Sequence, residues 1–227
     1  MEVITKISTF HEYAAEAIFA IGQGLDIICR NNPEEKFCDY LTNRDISCEI
    51  NYRYAFLMIS NSLEAAANAM ILAVLIHDDV YKNIEKKDLL HKIDFFCKRK
   101  EVSFDKGSHK AALISEIIDC RNEFVHPKPK HSIAMLNKQS GVIEYDIKRT
   151  GTRKYPLYFS EMQLRDTLNA LKDSLDFISW IVFDLCKYPL KDGALLIGYN
   201  SFGHIGTLLE INNSFKLDLD LRCFGLT

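Results

Sequence analysis

The sequence predicts an all-α fold: an up-and-down bundle of about five helices, a β-hairpin inserted before the last long helix, and a short β-leaning C-terminal tail. Three observations carry that prediction. Apolar residues recur at spacings of three and four through several long segments, the spacing a helix needs to bury one face. Two such segments follow a Ser/Thr-x-x-Glu/Gln pair, Thr9 with Glu12 and Ser160 with Gln163, the signature of a capping box. Period-two alternation is confined to two short stretches, 142–148 and 215–223.

The first helix covers residues 10–30, and Asn31-Asn32-Pro33 stops it. A polar linker leads to a second helix over 50–77, where Asp78-Asp79 begins the next connection. The third covers 86–100. The fourth starts near Ser108, an N-cap after Gly107, and ends at Pro127, which cannot continue a helix. Residues 142–148 read V-I-E-Y-D-I-K, with Ile143, Tyr145 and Ile147 on one face. Arg149-Thr150-Gly151-Thr152 is a turn, and 153–158 returns as the second strand, with Pro156 making it an edge. That places the insertion at about 141–158. The fifth helix carries Leu164, Leu168, Leu171, Leu175, Ile178, Val182 and Leu185, a seam of the kind bundle helices bury. Glycines at 193, 198, 203 and 206 interrupt the next stretch. Phe215, Leu217, Leu219, Leu221 and Cys223 then alternate with polar residues as a strand would. The expected organisation is one bundle domain, 1–189, with an extension, 190–227, packed on it.

The chain has 227 residues, 48% hydrophobic and 26% charged, enough for one substantial core. A net charge of −3 does not announce a nucleic-acid binder, but the distribution is uneven. Residues 121–154 hold eight basic and three acidic side chains, a net of +5. The seven cysteines are scattered and form no CxxC pair. Together with an opening that lacks the basic start and apolar core of a signal peptide, they predict reduced thiols and a cytoplasmic protein. Residues 54–76 are apolar enough to span a bilayer. Yet Asn61, Glu64 and Asn68 lie in the middle, and a central carboxylate costs roughly 2.5–3.5 kcal/mol on insertion scales. A central bundle helix is the expectation, with no membrane partner.

The most unusual stretch is ALISEIIDCRNEFVHPKPK, residues 112–130. At 100° per residue, Leu113, Ile117, Cys120 and Phe124 cluster on one side, and Ile114, Ile118 and Val125 widen the arc. Arg121 falls inside it. Ser115, Asp119, Asn122 and His126 form a polar stripe beside it. A guanidinium in an apolar arc needs a carboxylate or a phosphate. Glu64 is the candidate structural partner. On that reading His126 is simply a helix C-terminal residue favoured by the dipole. On the other reading, Arg121 and His126 serve a site. They lie about 140° apart on a straight helix, so they converge only if His126, before Pro127, swings out of the helix or a second copy supplies the other half.

Arg121-Asn122-x-x-x-His126 resembles the R-x(4–6)-H motif of the HEPN superfamily, with a polar residue after the arginine. The element order from about residue 50 to 186 is similar to that family as well. The resemblance implies a small helical bundle that dimerises through the motif-bearing helix and acts as a metal-independent endoribonuclease in phage-defence or toxin–antitoxin systems. The catalytic residues it implies are Arg121, Asn122 and His126. His126-Pro127 departs from the subgroup that carries a tyrosine two residues after the histidine, and the hairpin is not part of the minimal fold. The residue types suit the chemistry: histidine as base and acid, arginine for the developing phosphorane charge, Asn122 to orient phosphate or imidazole. Lys128, Lys130, Lys148, Arg149, Arg153 and Lys154 are the expected RNA-binding cations. The expected partners are RNA, a second copy and a cognate antitoxin or other protein. The alternative is a catalytically inactive module binding RNA, a nucleotide or a partner protein. No cofactor or metal is expected, since His77-Asp78-Asp79 lacks a second histidine nearby and no Gly-rich phosphate loop occurs.

Overall fold

In the computed structural model, residues 10–31, 46–74, 82–126, 134–136, 143–145, 153–156, 162–197 and 204–226 are described. Helix α1 is Phe10–Asn31 and α2 is Ile46–Val74. Helix α3 is Leu89–Arg99, α4 is His109–Val125, and α5 is Leu164–Ser179, continued as a π-helix over Trp180–Leu185. Two further helices, α6 (Leu190–Leu196) and α7 (Ile205–Phe215), precede a 3-10 turn at Arg222–Phe224. The mainly helical architecture is the one expected.

Helix α2 is the hub, packing on α1, α3, α4 and α5. It approaches α1 so closely that a Cβ at Gly24 would collide with the Tyr52 ring. Its Glu49–Val74 stretch is long and apolar enough to cross a membrane, and half of its apolar window is buried inside the protein. The polar groups of that stretch find partners within the bundle. Ser60 and Ser62 donate to the carbonyls of Leu57 and Ile59, both at 2.7 Å. Glu64 and Asn68 both hold the ammonium of Lys92 on α3.

Local chemistry sets the helix starts. Asp88, not Lys86, opens α3, because its carboxylate accepts from the His91 N–H at 2.9 Å. Ser108 caps α4 as expected, accepting from Ala111. At α5 the reciprocal pair is Gln163 and Asp166: the Asp166 carboxylate accepts from the Gln163 N–H at 3.0 Å. The expected Ser160 cap lies outside the described residues. The predicted seam is buried at Leu164, Leu168, Leu171, Leu175, Ile178 and Val182. Beyond Ser179 the helix widens, and the Cys186 N–H donates to Ile181 O, five residues back. The wider turn brings Ile181, Val182 and Phe183 together into the core. Gly193 of α6 lies against Phe183 and Val182 with no room for a Cβ.

Two β expectations are corrected. Residues 143–145 are extended within the predicted 142–148, but they pair antiparallel with Ala134–Leu136. The predicted return strand, 153–158, is irregular over its described part, 153–156. Its amides are already used: Glu116 of α4 accepts from the N–H groups of Lys154 and Tyr155 at 2.9 and 3.2 Å. The tail is likewise not a strand. Phe215 ends α7, Lys216 and Asp218 adopt left-handed φ of 50° and 53°, and the chain finishes in the 3-10 turn. Side chains rather than a ladder satisfy it. Asn212 Oδ1 accepts from Leu219 N–H at 3.0 Å, and Lys172 donates to Asp218 O at 2.6 Å. Arg222 bridges Asp184 and Asp220, each at 2.7 Å. Its apolar residues are used nevertheless: Leu219, Cys223 and Phe224 are buried, and Phe224 meets Phe10 of α1 at 6.1 Å.

Candidate functional site

Helix α4 is anchored by its first three turns and emerges by its last. Ala111, Leu113, Ile114, Ile117 and Cys120 are buried. After Cys120 the same face meets solvent, with Phe124 and Val125 each 48% exposed. Arg121 sits at the crossing point, half-buried. Its Nη1 donates to Asn122 Oδ1 at 3.1 Å. Its Nε is buried and has no hydrogen-bond partner among the described residues. Glu64 is not its counter-ion. That carboxylate is committed to Lys92, because the α3 ammonium is the group buried beside it. Glu64 is therefore a structural partner, but of Lys92.

His126 caps α4 at φ −128°, ψ 65°, outside the helical region, as the following proline demands. Its N–H still donates to Asn122 O at 2.9 Å, and it is exposed. Asn122 thus ties the two ends of the motif, accepting from the Arg121 guanidinium with its side chain and from His126 with its backbone. The whole motif lies at the solvent end of one helix.

The expected basic surface is altered where it is described. Arg153 lies 3.5 Å from Asp119 of α4 in an ion pair without hydrogen-bond geometry. Lys154 Nζ bonds both oxygens of Asp173 on α5, at 2.9 and 2.8 Å. Tyr155, only 2% exposed, donates its hydroxyl to the same carboxylate at 2.5 Å and lies against Phe56 of α2. Burial first, then the charge of Asp173, pushes its phenol well above the usual range. Lys128, Lys130, Lys148 and Arg149 lie outside the described residues. Residues 153–155 thus form a clamp across α4 and α5, through Glu116, Asp119 and Asp173. Sequence reasoning missed those three acids. The available signal was Glu116 and Asp119 three apart on the motif helix, facing a basic segment that follows it in the chain.

The arrangement offers a cation lacking a carboxylate, an amide beside it and an exposed imidazole. Among the described residues no three His, Cys, Asp or Glu side chains group as a metal set, and His77-Asp78-Asp79 lies outside them. No family model matches this sequence, and neither a curated protein nor a solved structure matches it.

Proposed function

We propose that this chain is a homodimeric, metal-independent endoribonuclease of a phage-defence or toxin–antitoxin system, acting in the cytoplasm. The observation that carries the reading is Arg121, a half-buried guanidinium with a buried, unbonded Nε and no carboxylate on it. Such a group is completed by an anion, and a phosphodiester is an anion its forked donors match. His126, freed from helical geometry beside it, takes the 2′-hydroxyl proton or protonates the leaving 5′-oxygen. Arg121 then faces the charge that develops on the phosphorane, and Asn122 holds the guanidinium in place. A second copy across a two-fold axis supplies the other acid–base group.

The test compares wild type with His126→Ala on RNA in excess chelator. Wild type is expected to cleave and leave a 2′,3′-cyclic phosphate, while the variant stays folded and loses at least about a hundred-fold in rate. Expression of wild type, but not the variant, is expected to slow growth. Equal cleavage by the two proteins would sink the assignment of His126.

The clamp favours a second reading. Two of the six cations expected to hold RNA, Arg153 and Lys154, are paired with acids. On that reading the chain is an inactive module binding RNA, a nucleotide or a partner protein such as an antitoxin. Wild type and variant that bind RNA equally, with no product from either, would establish it.

A further inference from the structure

Cys97 lies in the last turn of α3, and Cys186 caps the π-helix that ends α5. They are 89 positions apart in sequence, yet the residues around them interlock. Tyr188 stacks on Phe96 with ring centres 6.4 Å apart, and Lys100 Nζ stands 4.8 Å from the Tyr188 ring centre. Lys187, at a left-handed φ of 56°, turns the chain so that Tyr188 reaches α3. The two thiols adjoin and share a hydrogen bond. Both are free, Cys97 buried and Cys186 half-buried.

That contact makes the sulfurs unequal. The hydrogen bond to Cys186, then burial, keeps the proton on Cys97. The same bond, received from Cys97, together with the Lys100 ammonium, outweighs burial and holds the Cys186 thiol below its usual range. Cys223 is a contrast within the same protein: fully buried against Ser179 Oγ at 3.1 Å, it is pushed up to about 12 by burial. A buried thiol that keeps its proton is a poor nucleophile, whereas a half-exposed one with a lowered pKa reacts.

We propose that Cys186 and Cys97 form an oxidation site, with Cys186 the peroxide-reactive sulfur and Cys97 the resolving one. The oxidant is a small hydroperoxide. The Cys186 thiolate attacks its terminal oxygen, the O–O bond breaks, and hydroxide or alkoxide leaves. Sulfur is oxidised to the sulfenic acid and the peroxide is reduced. The Cys97 sulfur then attacks Cys186, the S–S bond forms, the S–O bond breaks, and the Cys97 proton leaves with the hydroxide as water. The product staples the end of α3 to the end of the π-helix, and a dithiol reverses it.

The experiment treats the full chain with hydrogen peroxide, alkylates remaining thiols under denaturing conditions, and maps linked peptides by mass spectrometry with and without dithiothreitol. The expected result is a reducible Cys97–Cys186 link, with Cys186 reacting at least about ten-fold faster than Cys223. In Cys97→Ala and Cys97→Ser, Cys186 is expected to stop at the sulfenic acid and be trapped by dimedone. In Cys186→Ser, Cys97 is expected to remain reduced. Because the wild-type map needs no variant to fold, it decides the matter alone. Cys186 left unmodified where Cys223 reacts, or Cys97 linked to another cysteine, would overturn the proposal.

Discussion

Lys92 and Arg121 are two cations set into apolar surroundings, and their partners make them opposites. Lys92 is 2% exposed and meets both Glu64 and Asn68, so its charge is compensated. Removing one member of such a pair leaves the other uncompensated. Lys92→Ala is therefore expected to destabilise the fold by about 3 kcal/mol, the low end for a buried pair, because Glu64 keeps some solvent. The double variant Lys92→Met, Glu64→Leu should recover most of that loss, since the penalty lies in the orphaned carboxylate and not in lost volume. Urea denaturation measures both, and a Lys92→Ala loss below about 1 kcal/mol would show that the pair carries little. Arg121 has no carboxylate to orphan. Its exposed bond to Asn122 is a small gain, whereas its buried Nε stands unbonded. Arg121→Met keeps the apolar stem and removes that penalty. It is expected to leave stability unchanged or raise it by about 1 kcal/mol while abolishing RNA cleavage. A structural arginine would behave the other way, so a clear drop in stability would refute the functional reading of this residue.

The clamp formed by residues 153–155 shows how an element with no regular structure is held. Glu116 takes two of its amides, and Asp173 takes the Lys154 ammonium and the Tyr155 hydroxyl. Tyr155→Phe removes a hydrogen bond to a charged acceptor, so a loss of roughly 1.5–3 kcal/mol is expected. The same residue predicts an alkaline limb. Its phenol is raised in the folded state, so above about pH 10 the unfolded chain loses this proton first, and stability falls as pH rises. In Tyr155→Phe that fall should shrink, and an unchanged alkaline slope would show that Tyr155 does not cause it. This clamp was illegible in the sequence because its acids lie on two helices and look like solvated faces until packing brings them together. Long seams such as Leu164 to Val182 were legible because their periodicity is itself the packing rule. α6 and α7 were missed for the converse reason. Gly193 and Gly206 read as breakers, yet Gly193 stands inside α6 where Val182 and Phe183 leave no space for a side chain. The alternation at 215–223 predicts a strand only if a neighbouring strand is there to pair with it, and long-range pairing is not written in a local pattern. Of the site, the motif and its helix end were legible. The counter-ion of Glu64 was not, since nothing local separates Lys92 from Arg121 as its partner.

At the scale of the molecule, the proposed activity depends on a second copy. On a regular helix Arg121 and His126 point about 140° apart, and only the departure of His126 from helical geometry at the C-cap relieves this. The solvent end of α4 also leaves Phe124 and Val125 each 48% exposed, next to the half-buried Arg121. A two-fold axis there covers the apolar side chains and sets one subunit's arginine against the other's histidine. Val125→Asp introduces a carboxylate that solvent accepts in a monomer, within about 0.5 kcal/mol, but that a buried interface does not. It is expected to convert a dimer into a monomer by sedimentation and to abolish cleavage, with thermal stability retained. Mixing separates a shared site from a merely adjacent one. Arg121→Met and His126→Ala subunits are each inactive, but a heterodimer of the two places one intact arginine opposite one intact histidine. With random exchange half of the dimers are mixed, and each holds one complete site of two, so about a quarter of wild-type activity should return. A site contained within one subunit returns none, and that result would remove the dimer from the mechanism even if the chain proved dimeric.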